Sequence, residues 1–423
     1  MRKTITMTRE ERSWALYDVG NSAFVLVMVT AIMPIYFKDV IAVGIPGALS
    51  TAHWGFANAA ASLILALSAP VLGAMADYPG QKKRFLLAFL FLGLTFNLAL
   101  PLVHAGQWLP CLLFFVLARV GWAGANIFYD AFLVDVTSHE RMDIISARGY
   151  GYGYIGSVIP FIMIIGLIFN AGMGDGLPAR ASQIGFVIVA LWWLLFSVPI
   201  IKNVHQVYSL PASKTPVRDS LQRIVHTFRE VRRHPRAFLF LLAYFFYIDG
   251  VDTVISMATA YGRDLGFSVP LLIAVLLFIQ IVAFPFALLY GRLAARHSTK
   301  PMLMLGIAVY CLVTVCAFLL PSIPDPRLKN AAFWAIAFLV ASSMGGIQAL
   351  SRSYFGKLIP PEKSAEFFGF YNVFGKFAAI TGPFLMGMVS RLSGDSRWGV
   401  LSLLLLFVLG AYFLNKVEGG SDS

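Results

Sequence analysis

Residues 85–103 read FLLAFLFLGLTFNLALPLV and contain no charged side chain. About 20 apolar residues in a helix cross the hydrocarbon core of a bilayer, so this stretch predicts a transmembrane span. Similar runs recur throughout the 423 residues, of which 58% are hydrophobic and only 13% are charged. Soluble domains average about 25% charged residues. The composition therefore excludes a soluble enzyme, a disordered chain and a nucleic-acid-binding protein, and it indicates a polytopic membrane protein.

Twelve such runs predict an all-α membrane protein with twelve transmembrane helices. The longest interruption divides them into an N-terminal six-helix half (residues 1–201), a linker (202–236) and a C-terminal six-helix half (237–423). The expected spans are residues 13–37, 49–76, 84–105, 108–136, 145–170, 181–201, 237–260, 268–291, 301–320, 331–357, 364–390 and 397–416.

Loop charge predicts the orientation of the chain. The loops on the side of the two termini carry most of the 33 Lys and Arg residues, so both termini are expected in the cytoplasm. Within the linker, apolar and arginine positions alternate at helical spacing over residues 217–233, which predicts an amphipathic basic helix on the inner leaflet. The alternative for this helix is a regulatory or partner-binding role.

Short internal sequence repeats favour two related halves. Asp18 through Ser22 and Asp249 through Thr253 both fit Asp-x-x-[Asn/Asp]-[Ser/Thr]. A constant offset also sets Asp130, Asp135 and Gly153 of the first half against Arg352, Lys357 and Gly375 of the second half. Transporters built from parallel repeats place their substrate site near the bilayer midplane, so these sequence repeats predict two pseudo-symmetric six-helix halves around such a site.

The loop after the second span reads GAMADYPGQKKR over residues 73–84. It resembles the signature loop of the major facilitator superfamily, Gly-x-x-x-Asp-x-x-Gly followed by basic residues, and so implies the major-facilitator fold. A carboxylate at a helix end can bind a cation or a helix N-terminus in one conformation and release it in another. We therefore expect Asp77 to act in gating, with Lys82, Lys83 and Arg84; the alternative is an ordinary basic cytoplasmic loop.

Three further stretches resemble the autophagy-related vacuolar amino-acid effluxer family and its bacterial relatives. They are residues 14–24 (WALYDVGNSAF), residues 128–133 (FYDAFL) running on to 146–149 (SARG), and residues 348–353 (QALSRS) continuing through 365–376 (AEFFGFYNVFGK). The resemblance covers nearly the whole chain. It implies a carrier for a small solute in a bacterial inner (plasma) membrane, with amino acids as the first expected substrate class. Arg119 departs from the usual fourth-span motif of the superfamily, so no role is carried over to it from proton-driven antiporters.

Carboxylates inside a span are expensive unless they are paired or functional. Asp249 and Asp252 lie one helical turn apart in the seventh span. Two neighbouring carboxylates in a medium of low dielectric do not both ionise easily, which suits reversible protonation, so protons are the expected coupling ion. The structural alternative is that one of them caps a helix break near Gly250 or pairs with a base.

The first span carries a second polar group. Asp18, Asn21 and Ser22 lie together and would either bind a polar solute or hold this span against a neighbouring helix. The nearby Trp14 and Tyr17 are expected to be aromatic anchors at the membrane interface.

Arg119, Asn126 and Asp130 share one face of the fourth span. Arg119 and Asp130 are about 16 Å apart along a helix, too far to pair with each other. We therefore expect partners on other helices and propose an Asp130–Arg352 bridge between the two halves. Lys376 in the eleventh span is another candidate partner for the embedded acids.

These considerations assign two sets of residues. The set for substrate binding or coupling is Asp18, Asn21, Ser22, Arg119, Asn126, Asp249, Asp252 and Lys376. The set for gating is Asp77, Lys82, Lys83, Arg84, Asp130, Arg148 and Arg352.

The expected function is secondary active transport of a small polar solute, with an amino acid as first choice, by proton-coupled alternating access in a monomer. Export of drug-like or lipid-like compounds is the alternative within the carrier class. A non-transporting membrane enzyme or receptor is the alternative outside it, but the sequence contains no nucleophile–base motif, metal-ligand motif or cofactor motif. We therefore expect no enzymatic activity and no cofactor.

Overall fold

A computed structural model of the chain describes residues 6–172, 177–211 and 234–417. All regular secondary structure in those ranges is helical, and twelve helices are long and apolar enough to cross a membrane. The predicted all-α class and the twelve spans are confirmed. The predicted basic helix of the linker lies outside the described residues. The twelve helices are α1 (Arg9–Ile41), α2 (Gly47–Ala76), α3 (Gln81–Ala99), α4 (Trp108–Ala131), α5 (Met142–Ala171), α6 (Ala179–Asn203), α7 (Pro235–Asp264), α8 (Val269–His297), α9 (Thr299–Leu319), α10 (Pro326–Leu358), α11 (Ser364–Ser393) and α12 (Ser396–Lys416).

Local sequence explains where several helices begin. Thr8 and Glu11 form a reciprocal capping box at the start of α1, in which each side chain accepts a hydrogen bond from the backbone N–H of the other residue. Asp325 and Asp395 cap α10 and α12 by accepting hydrogen bonds from backbone N–H groups in the first turn. Gly80 precedes α3 with a φ of 69°, a left-handed conformation that glycine adopts without steric cost.

Helix α1 is irregular in its second half. Two π-helical segments, Val25–Ala31 and Phe37–Ile41, interrupt it. A π-turn contains one residue more than an α-turn, so each segment changes the face that the following residues present. The predicted polar group of α1, Asp18, Asn21 and Ser22, lies in the regular part, Arg9–Phe24.

The exposed surface of the spans is apolar, as contact with lipid requires. Phe56, Leu67 and Leu102, for example, each expose at least 70% of their accessible area. Several charged side chains within the spans are buried, including Lys82, Asp249 and Arg352. Because charges in a membrane span are costly, buried charged groups of this kind identify the regions where function is expected.

The chain divides into two compact units. The first contains the described residues of 1–137, 152–224 and 360–370, and the second contains those of 138–151, 225–359 and 371–423. The first turns of α5 therefore belong to the second unit, and the first turns of α11 belong to the first unit. The six-plus-six domain boundaries and the pseudo-symmetry of the halves stay predictions.

Candidate transport and gating sites

Within the first unit, the loop between α2 and α3 binds the N-terminus of α11 by hydrogen bonds. Asp77 Oδ1 accepts a hydrogen bond from the Ala365 N–H at 2.8 Å, and Asp77 Oδ2 accepts one from the Glu366 N–H at 2.9 Å. Free N–H groups and the positive end of the helix dipole make such a terminus a natural partner for a carboxylate. A Cβ atom at Gly73 would lie 2.4 Å from the Ala365 carbonyl oxygen, so this close approach requires glycine.

Asp77 is buried at this contact, outside the membrane-spanning segments. Burial raises the pKa of its carboxyl group to about 8, although the Lys82 ammonium and the two backbone donors act in the opposite direction. An exposed aspartate has a pKa near 3.9. Formation of the contact is therefore accompanied by proton uptake at pH values between these two limits.

A buried ion pair lies beside Asp77. Lys82 Nζ contacts Asp135 Oδ2 at 2.6 Å with both side chains fully buried, and it also donates a hydrogen bond to Ser364 Oγ at 2.9 Å. Lys82 thus connects the start of α3 to the start of α11. We refer to Asp77, Lys82, Asp135 and Ser364 as the first charge cluster.

The segment that follows α6, residues 204–210, covers the first charge cluster. Asp135 Oδ1 accepts hydrogen bonds from the backbone N–H groups of Val207 and Tyr208 at 2.8 and 2.9 Å. The Leu210 N–H donates to the Asp77 carbonyl oxygen at 2.8 Å. The beginning of the linker is therefore bonded directly to two members of this cluster.

A different arrangement occupies the start of α5 in the second unit. Asp143 Oδ2 accepts from Lys357 Nζ at 2.7 Å and from Thr299 Oγ1 at 2.8 Å, while Asp143 Oδ1 accepts from Ser353 Oγ at 2.6 Å. These three donors come from α9 and α10. We refer to Asp143, Thr299, Ser353 and Lys357 as the second charge cluster.

Arg352 is also fixed to the beginning of α5. It is 1% exposed, donates to the Oγ and the carbonyl oxygen of Ser146 at 3.0 Å each, and lies 4.3 Å from the centre of the Tyr150 ring. Its role in the structure is therefore to bind the α5 segment of the second unit. The Asp130–Arg352 pair stays a prediction.

The acid of α7 is bound by a disturbed turn of α11. The Gly382 N–H donates to Asp249 Oδ1 at 2.7 Å, and Pro383, which has no N–H, interrupts the hydrogen bonds of α11 at the next residue. A Cβ at Gly382 would lie only 2.0 Å from Thr253 Oγ1. Among the described residues, Asp249 Oδ2 and Thr253 Oγ1 are buried atoms without a hydrogen-bond partner. Asp252, one turn on, is half-buried.

The polar group of α1 is sealed by aromatic rings. Tyr129 donates to Asp18 Oδ2 at 2.7 Å, and Asn21 donates to Asp18 Oδ1 at 3.4 Å. Trp14 stacks on Tyr129 at 4.6 Å and donates to its carbonyl oxygen. The prediction that Trp14 and Tyr17 are interfacial anchors is wrong, since both are fully buried against the helices that enclose Asp18.

The remaining predicted residues have separate surroundings. Ser22 is half-buried. Its Oγ lies so close to Gly153 on α5 that a Cβ atom added at Gly153 would clash with it. Lys83 donates to the Val204 carbonyl oxygen at 2.9 Å and so caps the end of α6, whereas Arg84 is exposed.

Arg148 is half-buried in the first turns of α5, and nothing is described for the side chain of Lys376. Arg119 and Asn126 are half-buried on α4.

Sequence reasoning missed five residues that complete these sites. Thr253 was visible as the echo of Ser22, and Gly382 as part of a Gly-Pro pair inside a predicted helix. Asp143, Ser364 and Tyr129 had no such signal, because only the fold brings them to their partners. The missed residues are Tyr129, Asp143, Thr253, Ser364 and Gly382.

The comparison with known families decides the classification. The model of the family described as "Vacuole effluxer Atg22 like" matches residues 6–419. The chain belongs to this family. The chain is also similar to autophagy-related protein 22 of Eremothecium gossypii, with 23% identity over 367 residues, covering 80% of this chain and 71% of that protein.

A bacterial relative is much more similar. The MFS-type transporter YxiO of Bacillus subtilis (strain 168) is 47% identical over 411 residues, covering 96% of this chain and 94% of that protein. The predicted family is therefore confirmed, and the protein is a transporter of the major facilitator superfamily rather than an enzyme.

Solved structures show the same fold at low identity. The major-facilitator proton:xylose symporter XylE superposes with a TM-score of 0.73 and 13% identity, covering 96% of this chain and 95% of that one. A bacterial homologue of the iron transporter ferroportin, in an outward-facing state, superposes with a TM-score of 0.70 and 14% identity, covering 97% and 98%. The major-facilitator fold predicted from the loop of residues 73–84 is confirmed.

Proposed function

We propose that this Atg22-like transporter carries amino acids across a bacterial plasma membrane by proton-coupled alternating access. The observation that carries the proposal is the state of Asp249, a carboxylate inside a span. One of its oxygens is bound by the Gly382 N–H, and the other is buried and accepts no hydrogen bond in the described part of the chain. A membrane-embedded carboxylate in this state gains most from binding a proton or a cationic group of a substrate.

The charge clusters support the gating part of the proposal. The Asp77 contact and the Lys82–Asp135 pair hold the start of α11, and Asp143 holds the start of α5 against α9 and α10. Interactions of this type are made in one conformation and broken in another. We assign gating to Asp77, Lys82, Lys83, Arg84, Asp130, Arg148 and Arg352 within this proposal.

The substrate side of the proposal rests on the family and on the embedded polar groups. The family is described as one of vacuole effluxers, and the bacterial relative YxiO favours a plasma-membrane location. The proposed carrier works as a monomer with both termini in the cytoplasm. The residues assigned to substrate binding or coupling are Asp18, Asn21, Ser22, Arg119, Asn126, Asp249, Asp252 and Lys376.

Counterflow in proteoliposomes tests this function. Wild-type protein, Asp249→Asn and Asp252→Asn, the variant of the second coupling candidate, are tested with a labelled amino-acid panel, with and without an imposed pH gradient. We expect saturable exchange of one amino-acid class by wild type, and loss of gradient-driven accumulation in Asp249→Asn with a smaller effect in Asp252→Asn. Accumulation that survives in Asp249→Asn rejects the coupling role. If no amino acid is exchanged and hydrophobic cations compete for the transport cavity, the alternative of an exporter of drug-like compounds is favoured.

A further inference from the structure

Arg119 lies in the middle of α4. Within the described residues, its guanidinium makes no hydrogen bond and no ion pair. Three other basic side chains of the protein are engaged: Lys82 with Asp135, Lys357 with Asp143, and Arg352 with Ser146. An unpaired charge inside a span costs free energy, so the fold gains nothing from Arg119 as it stands.

The position of Arg119 on α4 places it away from the lipid-exposed row and from the face that packs against α3. Leu113, which is 53% exposed, lies six residues earlier and therefore about 120° away around the helix. Gly121 lies two residues later, about 200° away, where its backbone presses against Gly93 of α3. Arg119 is half-buried on the remaining face, which is directed neither at α3 nor along the exposed row that includes Leu113.

Asn126 provides a second uncompensated polar group on the same face. It lies seven residues after Arg119, which is close to two full turns and about 10 Å along the axis. Its Oδ1 is buried and accepts no hydrogen bond from any described residue. A buried amide in this state needs a partner from outside the fold, because an unsatisfied polar group is costly away from water.

We infer that Arg119 and Asn126 form the subsite for the carboxylate of the transported solute. The planar guanidinium binds a carboxylate through two parallel hydrogen bonds, and Asn126 contributes an amide N–H donor and an acceptor for other polar groups of the same solute. The subsite selects small carboxylate-bearing solutes over sugars and over amines without a carboxylate. This inference rests on the proposed function, since it names the group by which a transported amino acid is recognised.

Transport of matched solutes tests the subsite. Each transported amino acid is compared with its carboxamide analogue in wild type, Arg119→Lys, Arg119→Gln and Asn126→Ala. We expect Arg119→Gln to raise the KM for the amino acid about tenfold to a hundredfold and to leave the KM for the carboxamide nearly unchanged. Arg119→Lys keeps the charge but loses the paired hydrogen bonds and is expected to lie between wild type and Arg119→Gln. A merely structural role would affect both solutes equally, and that result overturns the inference.

A binding measurement separates this inference from the proposed function. The midpoint of thermal unfolding of purified protein in detergent is recorded with millimolar amino acids, simple carboxylates and the corresponding carboxamides. Stabilisation by carboxylates that is lost in Arg119→Gln supports the subsite even when no amino acid is transported, and only the proposed function then fails. Equal stabilisation of wild type and Arg119→Gln by carboxylates, or no preference of wild type for carboxylates over carboxamides, overturns the subsite.

Discussion

The two charge clusters hold the starts of two helices by different means. In the first cluster the acid, Asp77, lies on a loop and accepts hydrogen bonds from two backbone N–H groups of α11. In the second cluster the acid, Asp143, lies on α5 itself. It accepts hydrogen bonds from the side chains of Thr299, Ser353 and Lys357. A backbone donor is present whatever residue occupies the position, whereas a side-chain donor can be removed singly. Both contacts depend on one acid, but only in the second can each donor be removed by substitution of its side chain.

The largest effect is expected at the buried pair of the first cluster. Lys82→Met leaves Asp135 buried without its cation, which should lower the free energy of unfolding by about 3–5 kcal/mol. Lys300→Met is the control, because Lys300, in the first turn of α9, donates within the described residues only to the carbonyl oxygens of Asn415 and Val417. Denaturant titration in mixed micelles measures both variants. Equal losses in the two variants would contradict the special role of the Lys82–Asp135 pair.

A smaller and separable effect is expected in the second cluster. Asp143→Asn and Lys357→Met should each destabilise the protein by about 2 kcal/mol, and the double variant should lose less than the sum because the two residues share one interaction. The pair is 15% and 1% exposed, so solvent weakens it relative to the fully buried pair of the first cluster. A double-mutant cycle measures the coupling. Strictly additive losses would show that the 2.7 Å contact does not stabilise the fold.

The first cluster should respond to alkaline pH. Because burial raises the pKa of Asp77 to about 8, the contact with α11 binds a proton that an exposed carboxyl group loses near pH 4. Its stability is therefore greatest at acidic pH and falls as the pH rises through about 8. Hydrogen exchange of a peptide that contains Ala365 and Glu366, expressed as a protection factor, should decrease from pH 6 to pH 9.

Asp77→Asn is the control for this pH dependence, since it keeps a polar side chain of the same shape but does not titrate. Its protection factor for the same peptide should be constant over this range. Parallel profiles for wild type and Asp77→Asn would assign the pH dependence to another group.

The smallest effect is expected in the segment that covers the first cluster. Tyr208→Pro removes the backbone N–H that binds Asp135 and should cost about 1 kcal/mol, whereas Tyr208→Ala keeps that N–H and should cost less. Thermal unfolding of the two variants measures the difference. If Tyr208→Ala were the more destabilised variant, the side chain rather than the backbone donor would be responsible.

The comparison also shows which features were accessible from sequence. The twelve spans follow from length and hydropathy alone, and the loop of the first cluster carries a recognisable pattern in which Gly73, Asp77 and Gly80 each have a structural reason. The second cluster has no such pattern, because its acid, Asp143, lies in the first turn of α5 and not in a signature loop. Its partners on α9 and α10 become neighbours of Asp143 only through the fold.

The embedded acids were identified from sequence, but their surroundings were not. Asp249 was predicted either to titrate or to cap a break near Gly250; the break that it binds lies instead at Gly382 and Pro383 of another helix. Likewise, Trp14 looked like an interfacial residue because aromatic side chains are common at membrane surfaces. Its burial against Tyr129 depends on the packing of α1 on α4, which hydropathy does not contain.

The bond between Asp77 and the start of α11 has a consequence for biosynthesis. Asp77 is separated from its two donors by 288 and 289 positions in the chain. A ribosome adds about 5–20 residues per second, so the nascent protein exists for roughly 15–60 seconds with Asp77 and Lys82 made and α11 not yet made. During that interval water must solvate both groups at the membrane surface. Closure of the first charge cluster is therefore among the last events in the assembly of this transporter, and truncation before residue 364 would leave it open.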